Sequence, residues 1–259
     1  MARGNRAPDD RSDRNYLKAH HAAWAVFHPA WIPEPLDPAV EQLKRIRVAA
    51  GSVAAIGVYT FVEGGFAVTE MLENLLVACG VLLVIAPLTV GVMLWTWRRG
   101  GSLRSLRPPL LRALRLLLTF VASAAVTLFL LQNSSRLGAG LMILPVGLLT
   151  LWLVWFVGAG ALRVTGNFFG TAAVHRGLPP LLATVTTWLM ALPDLFTGDL
   201  HGLGLTLGIV FILGAPVTVT GIALYELAVL KRRFGIRLTD HPALHAGRTP
   251  YDSRYAYGR

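Results

Sequence analysis

A chain of 259 residues with 54% apolar and only 15% charged side chains has too little polar surface to cover a water-soluble domain of its size, which excludes an ordinary soluble enzyme or binding module and points to a membrane protein. The formal charge of +10, from 24 Lys and Arg against 14 Asp and Glu, would suit a nucleic-acid binder if the cations shared one folded face, but they collect in loops beside apolar runs, so no specific nucleic-acid binding is expected. The single cysteine, Cys79, lies inside an apolar run and cannot by itself build a disulfide framework or a thiolate metal site.

Residues 1–46 read as a cytoplasmic tail. The stretch to Arg14 is charged and expected to be disordered; beyond it Tyr16, His20, Trp24 and Phe27 recur at helical spacing, which predicts an amphipathic helix in the membrane interface. After the proline-rich WIPEP, Asp37 is placed to cap a helix with Pro38 at its first position and Glu41 in its first turn, running on into the first span. A cleavable signal would put its apolar core early; here a tail of more than forty residues, polar overall, precedes the first apolar run, so the first span is expected to direct insertion.

Crossing the hydrocarbon core takes about 20 mostly apolar residues. Residues 74–97, 116–135, 137–162 and 202–225 reach that length without ambiguity. Two weaker candidates remain: 48–62, which spans only by running past Glu63 through GGFAVT, and 177–198, which contains Pro179, Pro180, Pro193 and Asp194. Charge decides between four and six. With all six crossing, every Lys and Arg except Arg136 falls in the segments up to residue 47, in 98–115, in 163–180 or beyond 230, the lopsided division that positive-inside orientation produces. The expected fold is therefore all-α, a polytopic transmembrane bundle of six spans over 47–230 with both termini cytoplasmic, placed in the cell membrane. The C-terminal segment 231–259 mixes charges, prolines and tyrosines without apolar periodicity and is expected to be mostly disordered.

Charges inside or beside spans are functional candidates, because burying them without partners is expensive. Glu63, Glu70, Glu73, Asp194, Asp199 and His201 all fall on the side opposite the basic loops, and together they form a candidate ion or proton site. Asp194 stands out, since Pro193 before it frees a backbone carbonyl and loosens the helix. The plainer reading is that these short loops carry acids because cations are excluded from them. Glu226, near the end of the last span, is expected to snorkel to the interface beside Lys231 and Arg232 in preference to pairing or gating. Arg163 and Arg176 bracket GNFFG and are candidate contacts for an anionic lipid headgroup, the alternative being a simple interfacial re-entry. Gly166 with Gly170, and Gly204 with Gly208, read as small-residue pairs for close backbone approach.

No phosphate loop, H-E-x-x-H, G-x-S-x-G or paired-cysteine motif occurs, so no catalytic residue, cofactor or metal is assigned, and His20, His21, His28, His241 and His245 are taken as incidental. The favoured function is a non-enzymatic component or docking subunit of a membrane complex, as a homo-oligomer or with other chains, in contact with anionic lipids at the cytoplasmic face. The alternatives are an ion or small-solute transporter using the acidic cluster, and a membrane enzyme acting on a lipid-linked substrate.

Overall fold

The computed structural model describes residues 18–29, 31–33, 36–61, 68–137, 140–197 and 205–245, and every regular element among them is helical. Seven α-helices follow one another: α1 (Ala19–Phe27), α2 (Pro38–Phe61), α3 (Val68–Trp97), α4 (Arg107–Leu137), α5 (Ile143–Asn167), α6 (Leu178–Thr197) and α7 (Leu205–Phe234). Four are long and apolar enough to cross a membrane, over Met71–Trp97, Leu103–Ser134, Ile143–Ala173 and Gly208–Phe234. Side chains such as Val84, Leu88, Phe129, Leu148 and Leu151 are more than half exposed along them. An apolar surface of that extent on a folded chain belongs in lipid, which marks a membrane protein. The remaining long helices fall short of that apolarity for visible reasons: α2 opens with Glu41, Lys44, Arg45 and Arg47, and α6 carries three prolines, an aspartate and several threonines.

Side-chain contacts fix the direction of each helix. Asp37 at the start of α2 meets Arg233 at the end of α7 (2.9 Å), and ten residues further along α2 Arg47 meets Glu226 (2.7 Å), so α2 and α7 are antiparallel. Gly177, just before α6, lies against Leu227 of α7, while Trp188 donates its indole N–H to Thr220 (3.0 Å), so α6 also opposes α7. Gln132, late in α4, donates to Glu73, early in α3 (2.9 Å). Arg47 reaches both the Gly166 carbonyl near the end of α5 and Glu226 near the end of α7, which places those two ends at one level. Helices α2 to α7 therefore alternate in direction, and the ends of α3, α5 and α7 share one face with the starts of α2, α4 and α6. That face carries the basic connections and is called the basic face below.

The starts and stops follow local chemistry. Asp37 caps α2 by accepting from the Ala39 N–H (3.0 Å), ahead of Pro38, as the sequence implies. This bond, and after it the Arg233 guanidinium, holds the Asp37 carboxyl below its ordinary 3.8. A carboxyl with a depressed folded pKa stabilises the fold above its unfolded pKa and loses that contribution as pH falls through the folded value. Asp37→Ala is accordingly expected to lower stability by about 1 kcal/mol at neutral pH. The gap between variant and parent should narrow in melting curves as the pH is taken down below 3.8; a gap independent of pH would show that the carboxylate is not what caps α2. At the other end α7 stops at Gly235 (φ +63°), with the Gly235 N–H on the Lys231 carbonyl, the Ile236 N–H on the Leu230 carbonyl and Ile236 buried beside Leu230.

Several boundaries differ from expectation. Helix α4 continues through the polar QNSSR to Leu137, so the next helix begins at Ile143 and not at 137, after Gly140 (φ +63°). Helix α6 passes Pro193 without interruption to Thr197, whose hydroxyl bonds the Pro193 carbonyl (2.9 Å), so the helix is not broken there. In the N-terminal helix the buried face is Ala19, Ala22, Ala23 and Phe27, while His20 and Trp24 are exposed or nearly so; it packs along α5 with its apolar face on protein instead of lipid. Phe27 wedges between Phe120 of α4 and Phe156 of α5, against Gly160. Beyond residue 231, where disorder was expected, α7 continues to Phe234 and residues 235–245 fold back on the basic face; 246–259 lie outside the described residues. Leu238 accepts from the Trp97 indole (2.9 Å), and the buried His241 lies on Gly100 and Gly101, leaving no room for a side chain at Gly100.

Candidate functional site

Among the described residues, the buried charged and histidine side chains, Arg47, His175, Glu226 and His241, all lie toward the basic face. Arg47, 3% exposed, and Glu226, 4% exposed, form an ion pair at 2.7 Å, and a second Arg47 nitrogen donates to the Gly166 carbonyl at 3.3 Å. Glu226 stands eight residues before the end of α7, about 12 Å along the axis. It does not snorkel: the partner that makes burial affordable comes from α2, and one guanidinium thereby ties α2, α5 and α7 together. In α2, Arg47 falls on the stripe of Val40 and Leu43, where helical periodicity places an apolar residue, while Glu41, Lys44 and Arg45 share another face. A cation on an apolar stripe is the signal that marks it.

Next to this pair, GNFFG makes a tight buried turn. Phe168 (φ +45°), Phe169 (+56°) and Gly170 (+78°) are successively left-handed, and the Phe169 N–H returns to the Val164 carbonyl (3.0 Å) to close α5. Both phenylalanines are buried, Phe169 edge-on to Phe120, and a short 3-10 turn at Thr171–Ala173 leads on to His175, stacked on Trp97 with ring centroids 5.2 Å apart. Its two glycines admit side chains and not a second backbone: Trp31 lies on Gly170 and the Lys44 stem on Gly166. Gly204 lies outside the described residues.

Between α2 and α5, beside the buried pair, is an open groove of about 540 Å³ lined on its polar side by Glu41, Lys44, Arg45, Arg163 and Asn167 and on its apolar side by Val48, Val53 and Leu162. Lys44 and Arg45 both lean on Glu41 (2.8 and 3.5 Å). Arg163 has no carboxylate partner among the described residues. Asn167, 8% exposed, lines the inner side of the groove. Of the two arginines that bracket GNFFG, Arg163 lines the groove and Arg176 is not part of its lining; burial lowers the Arg176 pKa from the usual value.

The acidic cluster is not assembled by what the structure describes. Glu73 accepts from Gln132; Glu63, Asp199 and His201 lie outside the described residues, as do the side chains of Glu70, on α3, and Asp194, on α6. Among the described residues no group of three His, Cys, Asp or Glu stands where a metal ion would be held. Comparison with protein-family profiles, with curated proteins and with solved structures yields no match, so the fold and the groove stand on their own geometry.

Proposed function

We propose that the chain is a six-span component of the cell membrane with both termini in the cytoplasm, acting without chemistry of its own as an assembly or docking subunit in a homo-oligomer or a larger complex. The observation that carries this reading is the construction of the basic end of the bundle, where α1 packs along α5, the 168–177 turn and the 235–245 segment fold against the helix ends, and the buried charges serve to fasten helices together. A fixed platform of that kind suits docking better than a passage with moving charges. Six crossings are supported by the alternating directions of α2 to α7, because α5 and α7 end at one level and α6 must return between them. Cytoplasmic placement of the basic face rests on the positive-inside distribution.

Two measurements test it. The one cysteine, Cys79, is buried, so introduced cysteines report cleanly on sidedness. Ser12→Cys and Ser253→Cys are expected to react with an impermeant maleimide only after the membrane is opened, whereas Gly65→Cys, Ser134→Cys and Gly202→Cys should react in intact cells. Labelling of positions 65 and 134 only from within, with position 202 still labelled in intact cells, would reduce the bundle to the four crossings of α3, α4, α5 and α7. Native mass spectrometry from lipid nanodiscs is expected to show a homo-oligomer or a stoichiometric partner; a monomer that conducts ions in proteoliposomes would replace the docking reading with transport.

A further inference from the structure

We infer that the groove between α2 and α5 binds the phosphate headgroup of an anionic phospholipid, with an acyl chain continuing over the apolar flank of the same two helices. Three cations, Lys44, Arg45 and Arg163, surround it against one carboxylate, Glu41, and that carboxylate is shared by the first two, which leaves the Arg163 guanidinium the one to meet an anion. Guanidinium forks match phosphate oxygens in geometry and charge. Asn167, 8% exposed, closes the inner wall of the groove.

The chemistry of the other side selects a lipid over a soluble anion. Val53 and Leu162, 70% and 61% exposed, extend the groove along the bundle surface in the direction that α2 and α5 take away from the basic face. A free phosphate has no use for that flank, whereas a phospholipid seated with its headgroup among the cations lays its chain along it. The level also fits: the groove opens beside the Arg47–Glu226 pair, above the basic ends of the helices, where headgroup meets hydrocarbon in a chain that spans. This inference is independent of whether the platform docks another protein.

The test is thermal unfolding of the purified full chain in a neutral detergent, titrated with dimyristoyl phosphatidylglycerol, with dimyristoyl phosphatidylcholine and with sodium phosphate. Saturable stabilisation by the phosphatidylglycerol alone is expected. Arg163→Gln, which breaks no hydrogen bond or ion pair among the described residues, should raise the half-saturating lipid concentration about fivefold, as should Lys44→Gln. Arg112→Gln, which removes an exposed cation at the start of α4, should leave it unchanged. The inference is overturned if the phosphatidylcholine stabilises equally, if inorganic phosphate reproduces the whole effect, which would make this a soluble-anion site, or if Arg112→Gln weakens binding as much as Arg163→Gln, which would reduce it to general surface charge.

Discussion

Glu226→Ala is expected to destabilise the protein by about 3–5 kcal/mol, the largest effect of any single substitution considered, because it leaves the Arg47 guanidinium buried with only the Gly166 carbonyl beside it. Arg47→Ala should cost a similar amount by stranding the carboxylate. The pair is not worth that much in itself: desolvating two charges offsets most of their attraction, so replacing both by apolar residues of similar volume should recover most of the loss. Arg47→Met with Glu226→Leu is therefore expected to melt within about 1 to 2 kcal/mol of the parent, the residue of the deficit being the donor lost to Gly166. Unfolding of the two single variants and the double variant in mixed micelles gives the coupling energy directly. Additive losses would mean that the charges do not meet, and with them would go the argument that α5 and α7 end at one level.

Why this pair is hidden in the sequence is instructive. Arg47 is the last of a run of cations, Lys44, Arg45 and Arg47, that the positive-inside rule accounts for, and Glu226 lies 179 residues away beside another run, Lys231 to Arg233. Each charge on its own belongs at the interface. Only the helical phase separates Arg47 from its neighbours, and that phase is readable once α2 is known to begin at Pro38. The apolar helices are legible for a stronger reason: lipid requires about 20 apolar residues per crossing, and few other constraints write so long a signal. Where that constraint is silent the reading fails. Between α4 and α5 the polar QNSSR suggested the turn, but α4 runs on through it and the chain turns only after Leu137. In α1 the buried face is Phe27, which the stripe read from the sequence includes, with three alanines, which carry little hydrophobic weight and gain their place through close packing against α5, while the larger Trp24 lies off that face.

The turn at 168–170 shows the same limit and yields the second large effect. In the sequence GNFFG looks like a loop freed by its glycines. In the fold it is over-determined: two phenylalanines take up left-handed backbone, a conformation that costs a side-chain-bearing residue roughly 1–3 kcal/mol and persists only where surrounding packing enforces it. Here the enforcement is burial of both rings, one of them edge-on to Phe120. Gly170 carries the third left-handed position and also yields the space that Trp31 fills, since a Cβ built there would stand 2.3 Å from the indole Cη2. Gly170→Ala therefore incurs two separate costs, about 1–2 kcal/mol for the backbone and about 1–3 kcal/mol for the overlap. In a Trp31→Ala background the overlap disappears and only the backbone cost should remain, so the loss from Gly170→Ala is expected to fall by half or more. If the loss is the same in both backgrounds, Trp31 is not seated on the turn, and the connection between α1 and α2 is held to the basic face by something else.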